Sequence, residues 1–327
     1  MRALVTGGSG FIGSHLLESL ADGYELLNLD LRPPQRSSVA WKKVDIREEL
    51  GLRDAIRRFK PDLLFHLAAR ADTDGRTIEE YDSNTLGTRN VVRACESLES
   101  LRHLVFVSTQ FVTKPGCCST TGEFCPMPGK YAESKVIGEK FIRASNLKCR
   151  WTIARPTNVW GPRHPRFPLQ LWAYLRDRIY VHPSGRDAVR SYAYVENVAQ
   201  QLIRCVTTRD IDTNRLTFYA TDRPSQQLSW LNGFSIALSG YPVRFIPRPV
   251  FYCAAIIGSA LRRCGVKFPL YLERYWSLTT DYVVPTDATI HSLAGPSVSL
   301  ETGIERTVAW LRNEYEFRSR YLPRCRG

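Results

Sequence analysis

The chain has 327 residues, of which 43% are hydrophobic and 24% are charged, proportions typical of a folded globular protein. Its net charge of +13 suits nucleic acid, a membrane surface or an anionic small molecule as partner. Lysine and arginine are scattered, with no zinc-finger spacing, no aromatic–basic RNA motif and no basic tail. We therefore predict an anionic small-molecule substrate and no nucleic acid.

The first 110 residues alternate strand-like and helix-like segments. The predicted strands are RALVT, YELLNLD, WKKVDI, DLLFHLAA and HLVFVST, and the segments between them have mainly helical spacing. Strands that alternate with helices in this way predict a parallel sheet joined by right-handed crossovers. The continuous apolar runs predict that helices cover both faces of that sheet.

A glycine-rich loop joins the first predicted strand to the first predicted helix. Gly7 permits a tight turn, Gly10 lets the backbone approach a pyrophosphate, and Gly13 lets the helix pack against the strand. The helix N-terminus offers free N–H groups and a positive dipole end to phosphates. Because a strand precedes the loop and a helix follows it, the loop predicts a dinucleotide site in a doubly wound parallel sheet of Rossmann type.

Asp30 ends the second predicted strand, 17 residues after Gly13. A carboxylate there accepts hydrogen bonds from the adenosine ribose and repels a 2′-phosphate, so NAD is favoured over NADP. Arg32 weakens this preference and leaves NADP as an alternative. Asp45 follows the third predicted strand and is expected near the adenine, at a position that also suits a helix N-cap.

Tyr131 and Lys135 stand four residues apart in a segment of helical spacing, so they share one helix face. A free tyrosine has a pKa of about 10 and is a poor base at neutral pH. A neighbouring ammonium and a cationic nicotinamide both favour the phenolate and are expected to lower that pKa. The pair therefore predicts a general acid/base, and the alternative interpretation is an amphipathic surface helix.

From about Arg155 onward the pattern is irregular and richer in proline, tryptophan and tyrosine. We predict an NAD-binding Rossmann domain at residues 1–160, to which residues 188–222 return. Residues 161–187 and 223–327 are predicted to form mainly a smaller, mixed substrate-binding region.

The longest apolar run is Val250–Leu261, flanked by Arg248, Arg262 and Arg263. It is too short to cross a bilayer core of about 30 Å. One interpretation is a buried helix of the smaller domain. The other is a helix that lies in a membrane interface, so that residues 250–263 make weak contact with a membrane surface.

The chain contains nine cysteines at irregular spacing. Their odd number indicates reduced thiols. The cluster of Cys117, Cys118 and Cys125 lacks the paired short spacings of a zinc site, so we predict no metal. Strand-like residues begin at Ala3 and no secretory signal is expected, which favours a cytoplasmic protein.

Seven further motifs follow the glycine loop. Together with the loop, they make the chain resemble the extended short-chain dehydrogenases/reductases, a branch also called the NAD-dependent epimerase/dehydratase family. The resemblance covers essentially the whole chain and is highly specific for the family. It is weakly specific for the substrate and favours members of the nucleotide-sugar type. The motifs after the loop are HLAA at 66–69, NTLGT at 84–88, VST at 107–109, YAESK at 131–135, RPTNVWGP at 155–162, RSYAYVENVA at 190–199 and VSLETGIERTVAWL at 298–311.

The resemblance implies a role for each matching residue. Thr109 would hydrogen-bond the reacting hydroxyl, Tyr131 would be the general acid/base, and Lys135 would hold the nicotinamide ribose. Asn158 and Arg190 would contact the substrate diphosphate, for which an arginine is chemically well suited. The alternative for Arg190 is a surface salt bridge. Further residues predicted to line the cofactor are Phe11, Ile12, Ile46, Leu67, Ala68, Ala69, Pro156 and Thr157.

The resemblance also implies a homodimer in which helices around 84–97 and 131–145 pair with their copies. Gln110 and Phe111, predicted to lie at the substrate, stand where dehydratases and decarboxylases of the family carry acidic residues. Neither side chain can serve as an acid or base, which argues against 4,6-dehydration and decarboxylation.

Three functions remain open at this point. The first is an NAD-dependent epimerase or reductase that acts on a secondary hydroxyl of a nucleotide sugar. The second is a hydroxysteroid-dehydrogenase-like enzyme or a lipid-linked-sugar reductase, because YVENVA and the segment 250–263 also resemble such relatives. The third is a non-catalytic protein that senses a dinucleotide, because a fold alone does not establish activity.

Overall fold

The computed structural model describes residues 1–121, 123–266, 268–293 and 295–313. The chain divides into two compact units. The first comprises Met1–Val159, Tyr192–Arg223 and Val284–Ser297, and the second comprises Trp160–Ser191, Pro224–Val283 and the described residues from Val298 onward. Residues 284–297 return to the first unit, although they lie within the range predicted for the smaller region.

Strands and helices alternate through the first 156 residues, and the strands of the second unit are short. The strands in the described residues are β1 (Arg2–Thr6), β2 (Glu25–Asp30), β3 (Ala40–Lys43), β4 (Leu63–His66), β5 (His103–Val107), β6 (Arg150–Pro156), β7 (Asn158–Trp160), β8 (Val181–Pro183), β9 (Val189–Arg190), β10 (Tyr192–Tyr194), β11 (Leu216–Ala220), β12 (Ser225–Gln226) and β13 (Arg244–Ile246). The α-helices are α1 (Phe11–Leu20), α2 (Glu49–Phe59), α3 (Leu86–Glu96), α4 (Lys130–Arg143), α5 (Leu171–Arg176), α6 (Val195–Thr207), α7 (Gln227–Ser239), α8 (Arg248–Arg263), α9 (Leu272–Thr279) and α10 (Leu300–Asn313).

A parallel sheet forms the centre of the first unit. Within the described residues it has seven strands in the order β11–β6–β5–β4–β1–β2–β3, all parallel to their neighbours. Ala3 and Val5 of β1 join one hydrophobic cluster with residues of α1 and α6, whereas Leu4 joins another with residues of α2 and α3. Alternate side chains thus enter cores on opposite faces, which confirms the predicted doubly wound fold.

The parallel direction of the strands brings their carboxyl ends to one edge of the sheet. The glycine loop follows β1, Asp30 ends β2, residues 67–69 follow β4, and Thr109 comes shortly after β5. The strand order reverses between β1 and β4, and ligands of doubly wound folds bind at such a reversal. The third strand is shorter than predicted: β3 is an exposed edge strand that ends at Lys43.

The second unit has an aromatic core. The indoles of Trp160, Trp172 and Trp230 surround Phe234, with ring centroids 5.0 to 5.5 Å from it. These contacts join α5 to α7. A smaller cluster joins α8 to α9 through Phe251, Ala255 and Tyr275. Among the described helices, none has the length and apolar character needed to span a bilayer.

Candidate active site

The glycine loop is closely packed at two of its three predicted positions. A Cβ atom on Gly7, whose φ is +76°, would lie 2.5 Å from the nitrogen of Ala68. One on Gly13 would lie 2.3 Å from the carbonyl oxygen of Gly7, whereas one on Gly10 would come no closer to that oxygen than 3.2 Å. The loop therefore tolerates no side chain at Gly7 or Gly13. Phe11 and Ile12 begin α1, whose first turn carries no acidic side chain.

Asp30 and Asn28 hold the glycine loop against β2. The carboxylate of Asp30 accepts hydrogen bonds from the backbone of Ser9 and of Arg32, each at 3.0 Å. The amide oxygen of the fully buried Asn28 accepts from the nitrogen of Gly8 at 3.0 Å, and its nitrogen donates to the Ser9 hydroxyl at 2.9 Å. Sequence reasoning missed Asn28, although an amide inside an apolar strand was a usable signal.

Asp45 does not cap α2, so the N-cap interpretation is wrong. The helix begins at Glu49 after Glu48. Asp45 instead forms a bidentate ion pair with Arg47 at 2.6 and 3.0 Å and accepts from its backbone nitrogen. The hydrogen bond from Arg47 holds the pKa of Asp45 below its usual value. Ile46 points inward, and its side chain packs in the core.

Residues 67–69 lie beside the glycine loop. The nitrogen of Leu67 donates to the carbonyl of Thr6 at 3.0 Å, and that of Ala68 donates to the Thr6 hydroxyl at 3.4 Å; Ala69 follows directly. The preceding His66 is buried between the hydroxyls of Thr6 and Thr88, at 2.7 and 3.1 Å. Burial, with a smaller effect of Lys135, lowers the pKa of His66 to about 3, so this imidazole is neutral at physiological pH.

Thr109, Phe111 and Tyr131 form one cluster. Thr109 begins a short 3-10 turn, Gln110–Val112, and its hydroxyl accepts from the backbone nitrogen of Phe111 at 3.3 Å. The Phe111 ring packs edge-on against Tyr131, with centroids 6.2 Å apart. On its other side Tyr131 meets Tyr81 at 6.1 Å. The structure thus brings the predicted reacting-hydroxyl partner and the predicted acid/base to the same end of β5.

Lys135 lies on the buried side of α4. Its Nζ donates to the carbonyl of Val107, the last residue of β5, at 3.0 Å. Burial lowers the pKa of this lysine to about 8, although the nearby Glu139 carboxylate partly opposes the shift. The ammonium is therefore directed to the carboxyl edge of the sheet, two residues before Thr109.

Gln110 and Asn158, both predicted to contact the substrate, contact each other. The side-chain nitrogen of Gln110 donates to the amide oxygen of Asn158 at 3.2 Å. Pro156 ends β6, and Thr157 is held by a backbone hydrogen bond to Ala220 at 3.1 Å. These four predicted residues therefore stand at the ends of β5 and β6.

Arg190 belongs to the second unit. Its guanidinium donates to the carbonyl of Ser277, near the end of α9, and to that of Thr280 at 3.4 Å. It also lies 5.9 Å from the ring centroid of Tyr282. Because Arg190 is buried, the alternative of a surface salt bridge is wrong.

Comparison with known proteins identifies the family. The model of the NAD dependent epimerase/dehydratase family matches residues 3–216. The chain belongs to this family. The match confirms the family expected from the motifs, and with it the prediction that NAD is the cofactor.

Three relatives indicate the range of this family. A 2-alkyl-3-oxoalkanoate reductase of Stenotrophomonas maltophilia is 29% identical over 61% of this chain and 63% of its own length, which is less than two thirds. A UDP-glucose 4-epimerase of Mycolicibacterium smegmatis is 29% identical over 62% of this chain and 72% of its own. The crystal structure of the UDP-glucose 4-epimerase of Thermus thermophilus with NAD has a TM-score of 0.68 at 26% identity and covers 96% of this chain and 100% of that one.

A buried ion pair next to Ser108 and Thr109 was not predicted from the sequence. Glu139 of α4 and Arg155 of β6 are fully buried and joined by two hydrogen bonds of 2.7 and 2.8 Å. The hydroxyl of Ser108, directly before Thr109, donates to the same carboxylate at 2.7 Å. Arg155 also donates to the carbonyl of Ser119. An arginine in an otherwise apolar strand was the available signal.

The same ion pair anchors the loop between the 3-10 turn and α4. Thr113 is buried and hydrogen-bonds the Tyr219 hydroxyl at 2.9 Å, and Arg155 donates to that hydroxyl at 3.4 Å. Further along, the nitrogen of Met127 donates to the carbonyl of Phe111 at 2.9 Å.

Among the residues that the structure describes, no group of three or more histidine, cysteine or acidic side chains could hold a metal ion.

Proposed function

We propose that this chain is an NAD-dependent epimerase or reductase that interconverts a secondary alcohol and the corresponding ketone, with a nucleotide sugar as the favoured substrate. The observation that carries the proposal is the position of Tyr131 and Lys135. Both lie on α4 at the carboxyl edge of the sheet, where Lys135 bonds to the end of β5 and Tyr131 packs against the turn that Thr109 begins.

The residues around the glycine loop fit NAD. The backbone of Gly7 meets that of Ala68 so closely that a Cβ atom would fill the space between them, and the N-terminus of α1 begins directly behind the loop. Asp30 is placed by its two backbone hydrogen bonds at the end of β2, where a ribose would be bound. When bound, NAD supplies a nicotinamide that exchanges a hydride with the carbon bearing the hydroxyl.

The chain's own groups would manage the proton. On oxidation the Tyr131 phenolate takes the hydroxyl proton, on reduction the Tyr131 phenol returns it, and Thr109 donates a hydrogen bond to the reacting oxygen. With a pKa of about 8, Lys135 is mostly protonated at neutral pH and favours the phenolate by its charge. Glu139 holds Ser108 and opposes the loss of that charge, so it is a positioning residue.

The substrate class rests on the relatives and on two residues. Two of the relatives described above are UDP-glucose 4-epimerases. Arg190 is proposed to bind the diphosphate, which would compete with the carbonyls of Ser277 and Thr280 for the guanidinium. Asn158 stays a separate prediction of a substrate contact. Gln110 and Phe111 supply no acid, so we do not expect 4,6-dehydration or decarboxylation.

A second candidate is an apolar substrate, such as a sterol or an alkyl ketone. The reductase of Stenotrophomonas maltophilia is named for an alkyl oxoalkanoate, and the Phe111 ring beside Tyr131 is compatible with an apolar ligand. A homodimer through α3 and α4 and a cytoplasmic location stay predictions. Size-exclusion chromatography with light scattering tests the predicted homodimer.

The test begins with mass spectrometry of the purified protein for retained NAD, followed by a thermal-shift screen of nucleotide sugars, sterols and alkyl ketones. With a substrate identified, Tyr131→Phe should lower turnover at least about 100-fold and leave NAD binding intact. Tyr241→Phe, which alters an exposed tyrosine of the second unit, is the matched control. Full turnover in Tyr131→Phe would reject Tyr131 as the acid/base, whereas retained NAD without turnover of any of these compounds by the wild type would favour a dinucleotide sensor.

A further inference from the structure

One face of α8 is apolar and exposed. No charged residue occurs between Pro249 and Leu261. Val250 is 57% exposed, Ile256 45% and Ile257 59%. With Tyr252 and Cys253, these residues form a continuous band along one side of the helix, which we call the α8 stripe. Such a contiguous apolar surface on a folded domain marks a site of interaction.

The opposite side of α8 fixes the orientation of this stripe. Phe251, Ala255 and Gly258 are buried. A Cβ atom on Gly258 would lie 1.8 Å from the carbonyl oxygen of Leu270, so α8 and the segment before α9 are in backbone contact. A rotation that buried the stripe would break this packing, and the exposure is therefore built into the second unit. The predicted burial of 250–263 thus holds for one face of the helix, the opposite face is exposed, and contact with a membrane stays a prediction.

An aromatic side chain extends the stripe beyond α8. Trp276 of α9 is 53% exposed and packs against Tyr252, with ring centroids 6.3 Å apart. Its other neighbour is Tyr275, at 5.0 Å. Exposed indole and phenol rings beside aliphatic side chains suit the boundary between a polar and an apolar phase.

Positive charge surrounds both ends of the stripe. From Arg244 to Arg274 the sequence contains six basic residues and one acidic residue, Glu273. Arg248 begins α8, and Arg262 and Arg263 end it.

A cleft of about 310 Å³ lies at the far end of the stripe. It is lined by Ser259, Arg262, Arg263, Tyr271, Leu272 and the carboxylate-bearing Glu273. The Arg262 guanidinium is stacked over the Tyr271 ring at 3.9 Å. Two guanidinium groups beside a cleft provide a suitable site for a phosphate headgroup.

We propose that the α8 stripe docks on the surface of a bilayer that contains anionic phospholipid. The aliphatic side chains would enter the boundary between headgroups and acyl chains, and the arginines at the two ends would contact the lipid phosphates. The charge distribution favours lipid over a second copy of this chain. In an antiparallel pairing of two α8 helices Arg248 would approach Arg262 and Arg263 of the copy, and in a parallel pairing each arginine would approach its own counterpart.

The experiment is co-sedimentation of the full chain with vesicles of phosphatidylcholine alone and of phosphatidylcholine mixed with phosphatidylglycerol. The wild type should pellet with the anionic vesicles and much less with the neutral ones, and added salt should weaken binding. Ile257→Glu should reduce binding at least about tenfold. Ile236→Glu changes an isoleucine of similar exposure on α7 and is the matched control that should bind like the wild type.

Two further measurements keep the result interpretable. Thermal unfolding of Ile257→Glu should match that of the wild type, because the residue is exposed, and NAD retention should be unchanged. The double variant Arg262→Glu, Arg263→Glu should lose binding to anionic vesicles and provides an independent test. The proposal is overturned if the wild type does not pellet with anionic vesicles, or if light scattering shows that Ile257→Glu converts a dimer into a monomer.

Discussion

The two units accommodate a buried arginine in different ways. In the first unit Arg155 is paired with the equally buried Glu139. It also donates hydrogen bonds to the carbonyl of Ser119 and the hydroxyl of Tyr219. In the second unit Arg190 donates to two backbone carbonyls at and beyond the end of α9. Arg155 is therefore held by a direct bond to a carboxylate, whereas these bonds of Arg190 are to neutral carbonyls. A hydrogen bond from Arg186 and, to a smaller extent, the charge of Arg190 lower the pKa of the nearby Asp281 carboxyl. The difference shows that burial of an arginine does not require a carboxylate that is buried with it.

The largest expected effect comes from breaking the ion pair of the first unit. Arg155→Met removes the nearer cation of the buried Glu139 carboxylate and leaves it with the more distant Arg143, at 3.6 Å, which should lower the free energy of unfolding by about 3 kcal/mol. Denaturant titration measures this change. The double variant Glu139→Leu, Arg155→Met should recover most of the loss, because it removes both charges. A single variant within about 1 kcal/mol of the wild type would show that the pair is not a structural requirement.

Acid should destabilise both units through a buried histidine in each. Burial lowers the pKa of His66 and of His164 to about 3, below the value of about 6.5 expected in the unfolded chain. The unfolded state therefore binds protons that the folded state does not. Stability should fall as the pH drops below about 6.5, by about 2 kcal/mol at pH 5 for each histidine.

Variants can separate the effect of the two histidines on stability from an effect of opposite sign at Asp222. Burial raises the pKa of Asp222 to about 7, so the contribution of this carboxyl to the free energy of unfolding increases as the pH falls from 7 to 5. It partly offsets the loss of stability that the two histidines cause. His66→Gln and His164→Gln should each flatten the fall in unfolding free energy between pH 7 and pH 5, whereas Asp222→Asn should steepen it. Denaturant titrations at the two pH values measure all three slopes. An unchanged slope in both histidine variants would contradict the assignment.

The smallest effect is expected at Arg190 and depends on the proposed nucleotide-sugar substrate. Arg190→Met should raise KM about tenfold with little change in kcat, because the interaction is with the diphosphate and not with the reacting carbon. Arg186→Met is the control, since Arg186 is an exposed arginine that pairs with Asp281 at 2.6 Å. Steady-state kinetics on the three proteins decide the question. An equal fall in kcat would place Arg190 in the chemical step.

Local patterns identified the part of the molecule that depends on the nearest residues in the chain. The glycine loop was recognised because a strand precedes it and a helix follows it, and Tyr131 and Lys135 because four residues make one helical turn. The structure places both features at the carboxyl edge of the sheet, as a parallel sheet requires. The roles of these residues in catalysis and cofactor binding stay proposals.

Most features that sequence reasoning missed depend on partners distant in the chain. Asn28 meets the glycine loop across 20 residues and Arg155 meets Ser119 across 36, and no periodicity encodes such pairings. Asp45 is a residue type that often caps a helix, but its carboxylate pairs with Arg47, two residues along the chain.

The amino-acid sequence by itself determined the alternation of strands and helices, the glycine loop, the spacing of Tyr131 and Lys135, and the family. Each of these is a property of neighbouring residues or of motif order. Only the tertiary structure decided that Glu139 and Arg155 pair in the core and that α8 buries one face and exposes the other. Burial and ion pairing depend on which segments meet in space, and that is a property of the whole folded chain.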